Sequence, residues 1–292
     1  MTGSPDPIVK TDSQKVMEIK ILCPLWGHEH EHIEDFAVKV KEAGFDGIDT
    51  WAPEDDSERQ RLHRTLKELK LVWVSHQHQA KGPNFDAFKD SFRHYLEMSA
   101  EGDPILINSH SGRDYFSMEE NLALIDIATE FSKEKNIIVA HETHRGRIGF
   151  HPAVMMDYFK ARDFHITSDL SHWVCTTESF LENFPEAVDE AIRRTRHIHA
   201  RVAFEEGPQV PDPRAPEWKT AVDHFLGWWD RMVESRRQAG DPLLTITTEF
   251  GPPPYLPTIP FTRKPVADQF AINCYMKDLL KKRYITPSSD TI

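Results

Sequence analysis

A single (β/α)8 TIM barrel is the fold class this sequence predicts, and three observations predict it. From residue 18 onward, short β-branched runs alternate with amphipathic stretches, the pattern of repeated βα units feeding a parallel sheet. Eight such runs each precede a helical stretch, the count of a closed barrel, whereas six would suggest a doubly wound sheet. The chain has 292 residues with no linker or composition break, a length suited to one such barrel. An open α/β sheet with extra units is the alternative architecture.

Residues 1–17 (MTGSPDPIVKTDSQKVM) are polar and aperiodic, so a disordered or loosely packed tail is expected before a barrel spanning 18–292. The strands follow in order as Glu18–Leu25, Gly47–Trp51, Leu71–His78, Pro104–His110, Ile137–His144, Phe164–Asp169, His197–Val202 and Leu243–Phe250. The intervening helices are His32–Ala43, Ser57–Leu69, Phe85–Ser99, Met118–Lys135, Pro152–Lys160, Thr177–Arg194 and Trp218–Ala239, with a last helix from Val266 to Lys282. Trp228 and Trp229 lie mid-helix and are expected to pack that helix on the barrel. Half of the 20 prolines fall in two segments, Pro208–Pro216 and Pro252–Pro265, after strands seven and eight. In a barrel these segments overhang the C-terminal face, where active sites sit, and read as pocket walls or lids.

Lys plus Arg number 35 and Asp plus Glu 47, giving a net charge of −12 with His neutral. Such an acidic chain is ill suited to a nucleic-acid partner, because phosphate backbones select basic faces. The three cysteines, Cys23, Cys175 and Cys274, form no CxxC and no even set, against both a disulfide scaffold and a thiolate metal site. No apolar run is long enough for a membrane span, and the N-terminus lacks the apolar core of a signal peptide, so a cytoplasmic location is expected. A homo-oligomer is compatible with the sequence.

Side chains two apart share a strand face. The stripes are then Val74, His76 and His78 on strand three; Leu106, Asn108 and His110 on strand four; Ile138, Ala140, Glu142 and His144 on strand five. Strand seven offers His197, His199 and Arg201, and strand eight Thr245, Thr247 and Glu249. Strand six ends in Asp169, followed by Ser171 and His172. Each stripe begins apolar or small, and the ionisable tips would converge at the barrel's C-terminal mouth. One histidine at a strand end is usually a solvated rim residue; several tips from separate strands of one ring are not explained that way. Crowded carboxylates repel unless a proton or cation intervenes. A mixed oxygen and imidazole shell suits a divalent metal ion, with Mn²⁺ the first choice and Mg²⁺, Co²⁺ or Zn²⁺ the alternatives. Arg201 is a candidate for binding substrate oxygens. Trp26, Trp51 and Trp173 follow strands one, two and six, where flat faces could meet the C–H faces of a sugar.

The segments AHETH (140–144), TSDLSHW (167–173), HIHAR (197–201) and TTEFG (247–251), with AGFDGID (43–49), resemble the xylose isomerase-like barrel superfamily over residues 18 to 282. That superfamily includes sugar phosphate isomerases, ketose 3-epimerases, hydroxypyruvate isomerase, inosose dehydratase and endonuclease IV. The resemblance implies a metal shell of Glu142, Asp169, His199 and Glu249, with His172 of the DxxH motif contacting substrate. Asp49 stands where Glu is commoner in the superfamily. Arg201 lies nearer the metal histidine than the epimerases' substrate arginine. His144 occupies the position of a xylose isomerase lysine.

The implied function is a divalent-metal-dependent sugar isomerase or epimerase acting on a small carbohydrate. It would abstract a proton next to a carbonyl through a metal-stabilised enediolate, with Glu142 and Glu249 as the catalytic acid–base pair. His172, Arg201, His144, His110, His76, His78, Trp26 and Trp173 would bind substrate. A keto-sugar lyase or dehydratase using the same metal site is the nearest alternative. An endonuclease IV-like phosphodiesterase is a further one, although Asp212-Pro213-Arg214 lacks the second histidine of that enzyme's third metal site. A noncatalytic barrel would need an empty mouth despite the ligand set. No Gly-rich phosphate loop stands out among 13 glycines, which favours an unphosphorylated or glycosidic substrate.

Overall fold

The computed structural model describes residues 17–285. Most of the expected N-terminal tail, residues 1–16, lies outside the described residues. Met17, assigned to that tail, is buried in the core.

The strands are β1 (Glu18–Pro24), β2 (Gly47–Thr50), β3 (Val72–Gln77), β4 (Leu106–Ser109), β5 (Ile138–Glu142), β6 (His165–Ser168), β7 (Thr195–His199) and β8 (Leu243–Thr247). They close in sequence order, and β8 pairs parallel with β1 through Leu22 and Thr247. The helices are α1 (Ile33–Glu42), α2 (Asp56–Leu69), α3 (Phe85–Ser99), α4 (Met118–Lys135), α5 (Pro152–Ala161), α6 (Leu170–Thr177), α7 (Pro185–Arg194), α8 (Lys219–Gln238) and α9 (Gln269–Tyr284). A 3₁₀ turn over Pro216–Trp218 leads into α8. Two short strands, β9 (Thr258–Ile259) and β10 (Lys264–Pro265), form a hairpin before α9. Among the described residues no helix is long and apolar enough to cross a membrane.

Local chemistry sets the helix ends. Asp55 caps α2 by accepting from the Ser57 and Glu58 amides, and Ser117 with Glu120 forms a reciprocal capping box on α4. Lys70 and Asn136 close those helices in the left-handed conformation. The expected helix Thr177–Arg194 is instead two. Glu178 turns left-handed at φ 50° and ends α6, and Pro185 opens α7 at a first-turn position where its missing N–H costs nothing. The unforeseen α6 follows β6 directly and is capped by Asp169 itself, whose carboxylate accepts from the Ser171 amide. The last helix starts at Gln269 rather than Val266 because Lys264–Pro265 pairs into the hairpin.

Two apolar layers hold the barrel. The larger lies between the strands and the helices and takes in Trp228 and Trp229. A small inner plug of Leu22, Val74, Leu106 and Ala140 fills the barrel interior. The polar ends of the same inward stripes stand on this plug.

Candidate metal centre and cavity

Strand register brings the tips together. Asn108 pairs with His76 and Ala140, Glu142 with Thr167, and His199 with Thr247, so these inward residues occupy adjoining rows. Beyond the strand ends, Asp169 caps α6, Arg201 follows β7 and Glu249 follows β8 with a left-handed φ of 47°. A non-glycine residue in that region is strained, and such strain gathers at sites whose side-chain aim matters.

Glu142, Asp169, His199 and Glu249 each offer one ligand atom, and the four atoms lie within 4.8 Å of one another. All four residues are buried, Glu249 being the most accessible at 7%. His199 Nδ1 stands 2.6 Å from Glu249 Oε2 and 3.6 Å from Glu142 Oε1. Apart from the His199–Glu249 ion pair, none of these three atoms has a hydrogen-bond partner. Buried polar atoms left unpaired are costly, and here they face one shared point. Two carboxylate oxygens and an imidazole nitrogen are the donors a divalent cation takes, so the residues fit a metal ion.

The surrounding charges agree. Burial raises the Asp169 carboxyl to about 7, with Arg201 opposing and Glu249 adding to the rise. For Glu142, burial is outweighed by His110 and His199, which hold its carboxyl well below the usual range. Burial is likewise outweighed at His199, which Glu249 and Glu142 raise well above its ordinary value. Three carboxylates around one imidazole thus draw positive charge into the site.

The opposite nitrogen of His199 is fixed from behind. Its Nε2 lies 3.2 Å from Asp49 Oδ2, which also meets His197 Nε2 at 3.2 Å and accepts from Thr247 Oγ1 at 2.8 Å. Burial opposes ionisation of Asp49, but the hydrogen bonds from His197 and His199 hold its carboxyl well below its usual range. Asn108 Nδ2 donates to Glu142 Oε2 at 2.6 Å. Arg201 donates through Nη2 to Asp169 and through Nε to Ser171 Oγ at 3.1 Å, and lies 3.7 Å from Glu249. Its guanidinium is stacked on the Tyr255 ring at 4.9 Å.

A cavity of about 170 Å³ opens above these groups. His76, His78, His110 and His144 line it, as do Trp26 and Trp51 and the Arg201 and Glu249 side chains. Burial lowers His78 and His144 to about 4 and holds His110 well below its ordinary value. These three rings are neutral near pH 7, with a lone pair free to accept a proton or bind a cation. His110 Nε2 stands 3.0 Å from Glu142 Oε2 and His76 Nε2 stands 3.6 Å from it, and neither nitrogen has a hydrogen-bond partner. His76, His110 and Glu142 therefore make a second group of potential ligands, sharing Glu142 with the first.

Two expected substrate contacts are relocated. Trp173 is fully buried in the core and donates Nε1–H to the Gly149 carbonyl at 2.8 Å, so it packs α6 instead of meeting substrate. His172 is also fully buried, with its ring 3.8 Å from that of His144 and its Nε2 accepting from Arg201 at 2.9 Å. It touches two residues that line the cavity, His144 and Arg201, without lining it itself. Tyr255 was not anticipated by name. It comes from the proline-rich segment after β8, lines the cavity, and meets Trp26 edge-on at 4.9 Å. The segment after β7 ties into the same wall, because Gln209 donates to the Gly251 carbonyl at 3.2 Å and accepts from its amide at 2.7 Å.

No protein-family model matches the sequence, and no curated protein matches it. Solved structures do. A xylose isomerase-like TIM barrel protein from Mycobacterium smegmatis in complex with magnesium superposes at a TM-score of 0.60 and 12% identity, over 90% of this chain and 95% of that one. The 3-keto-D-glucoside 4-epimerase of E. coli does so at 0.58 and 12%, over 91% and 100%. The probable 3-DHS dehydratase AsbF of Bacillus anthracis follows at 0.57 and 15%, over 90% and 99%. Structures of D-psicose 3-epimerase and of endonuclease IV from Thermus thermophilus align as well. The chain has the fold of the xylose isomerase-like TIM barrel proteins.

Proposed function

We propose that this protein is a divalent-metal-dependent sugar isomerase or epimerase, with Glu142, Asp169, His199 and Glu249 as the metal ligands. One observation carries the reading: donor atoms from four different strand ends lie within 4.8 Å of one another, and one of the four, Glu249, lines the cavity. Neighbours of this fold include a magnesium complex and sugar epimerases, which supports it.

When bound, the cation supplies Lewis acidity that polarises a carbonyl and acidifies the adjacent C–H. Glu142 and Glu249 are carboxylates from separate strand ends at the same point. One takes the proton from that carbon, and the other, or a water, returns it. Asp49 holds the His199 ring so that Nδ1 faces the carboxylates. Asn108 anchors the Glu142 oxygen that faces His76 and His110. His144 and Arg201 bind substrate oxygens, and Trp26 with Tyr255 excludes water from one side.

A second reading has its own observation. The His76–His110–Glu142 group offers room for another cation, and a two-cation centre suits phosphodiester hydrolysis. Endonuclease IV shares the fold. Metal analysis of protein purified without chelator, followed by turnover of ketoses, 3-keto-glycosides and a phosphodiester, separates the readings. One metal ion per chain and interconversion of ketoses is the expected result, lost in Glu142→Ala and Asp169→Ala. An enone or released aglycone would move the assignment to a lyase. Two or more zinc ions with phosphodiester cleavage would move it to a hydrolase. Unchanged metal content in both variants would leave a barrel without this centre.

A further inference from the structure

We propose that the substrate carries an anionic group, a carboxylate or a phosphate, received by Arg145 and Arg147 at the mouth of the cavity. This deepens the reading above and rests on it for the location of the reacting end.

The chain carries a net charge of −12, and carboxylates are abundant. Many arginines elsewhere take them as partners, among them Arg162 with Asp126, Arg194 with Asp163 and Arg283 with Asp230. Among the described residues, Arg145 and Arg147 have no carboxylate partner. Both lie on the turn between β5 and α5, directly after His144, which lines the cavity. Arg147 spends one N–H on its neighbour's carbonyl, Nη1 to Gly146 O at 3.0 Å. Its Nε is buried and has no acceptor at all. Arg145 stacks on Tyr255 at 5.1 Å, while Arg201 stacks on the same ring at 4.9 Å. Tyr255 is itself a cavity wall, so the exposed Arg145 side chain lies against a residue that lines the cavity, one position after His144, which lines it too.

A third cation adds to the field. Arg113, on the adjoining β4–α4 loop, donates to the Gly112 and Ala80 carbonyls at 2.7 and 2.8 Å. Burial and this like charge together lower the Arg147 pKa. The loops are fixed against each other: the Ile148 amide donates to Ser111 O at 3.2 Å, and the Arg147 amide to His144 O at 3.2 Å. Gly149 packs so closely that an added Cβ would lie 2.8 Å from the Glu142 carbonyl oxygen. The cationic turn is thus pre-formed and leaned on the strand that bears Glu142. A guanidinium Nε buried without an acceptor, beside two more arginines that form no ion pair, is what a bidentate oxyanion completes.

The test reads binding, not turnover, so it can fail independently of the reaction assignment. Metal-loaded protein is titrated calorimetrically with D-glucuronate, D-fructose 6-phosphate and neutral D-fructose, for wild type and for the Arg145→Gln/Arg147→Gln double variant. One of the two anionic sugars should bind at least about tenfold more tightly than the neutral one, the worth of a charge-assisted hydrogen bond. Which anionic sugar does so identifies the group as carboxylate or phosphate. The double variant should bring charged and neutral sugars within about twofold of each other, at unchanged metal content. Added salt should erode the wild-type preference in parallel. Equal affinities in the wild type, no binding of any sugar, or a preference that survives in the double variant would overturn the proposal. A preference that behaves as expected with no isomerase or epimerase activity would sink the reaction assignment alone.

Discussion

The Asp49 carboxylate stands 3.2 Å from Nε2 of His199, on the side of the ring away from Glu142 and Glu249. A carboxylate behind a ligating imidazole fixes its tautomer and aim, and losing one costs ~10–100-fold in metal affinity. Asp49→Asn should weaken metal binding by about that factor while leaving the fold intact. Competition with a chelator measures it. An unchanged affinity would mean that β7 alone orients the ring.

Gly251 has no room for a side chain, because the Trp26 indole occupies the space a Cβ would need. Gly251→Ala should push Trp26 into the cavity and cost ~1–3 kcal/mol of stability, the usual range for overpacking. It should raise KM more than it lowers kcat, since Trp26 walls the cavity and the carboxylates stay in place. Urea unfolding and steady-state kinetics report the two effects.

The capping box on α4 offers a change remote from the cavity. Ser117 Oγ accepts from the Glu120 amide, and Glu120 Oε2 accepts from the Ser117 amide at 2.8 Å. Ser117→Ala should cost about 1 kcal/mol in urea unfolding and leave metal content unchanged. A loss of metal would mean that α4 is coupled to the centre through β5.

Stability should also fall in mild acid. Burial lowers the pKa of His63 and of His165 below the ordinary value. Unfolding returns both to about 6.5. The unfolded chain then binds more protons as pH drops below that value, so acid favours unfolding. The urea midpoint at pH 5.5 should lie below that at pH 8, and His63→Gln should shrink the difference. A midpoint independent of pH over this range would show that these rings take up protons while folded.

The sequence alone carried the barrel and most of the inner stripes, because both rest on local rules. Strand periodicity places Ala140, Glu142 and His144 on one side wherever the strand is docked, and the eight-fold alternation leaves few ways to close a parallel sheet. The sequence also marked the proline-rich segments as walls, since proline stiffens a chain without reference to its neighbours. It misplaced α6 and Trp173. A helix that starts on Asp169 buries that indole, whereas the break between α6 and α7 is marked locally by Pro185, which suits the first turn of a helix and not its interior.

Only tertiary structure decided which atoms face one another. Asp49 and His199 lie 150 residues apart, and no periodicity relates them. The same is true of Tyr255, Arg145 and Arg201, which meet only because loops after three different strands fold over one mouth. The split of Glu142, one oxygen towards His199 and the other towards His76 and His110, is likewise a product of closure. Face and order along a strand are properties of neighbouring peptide units, whereas the distance between strand ends is set by how the whole ring shuts.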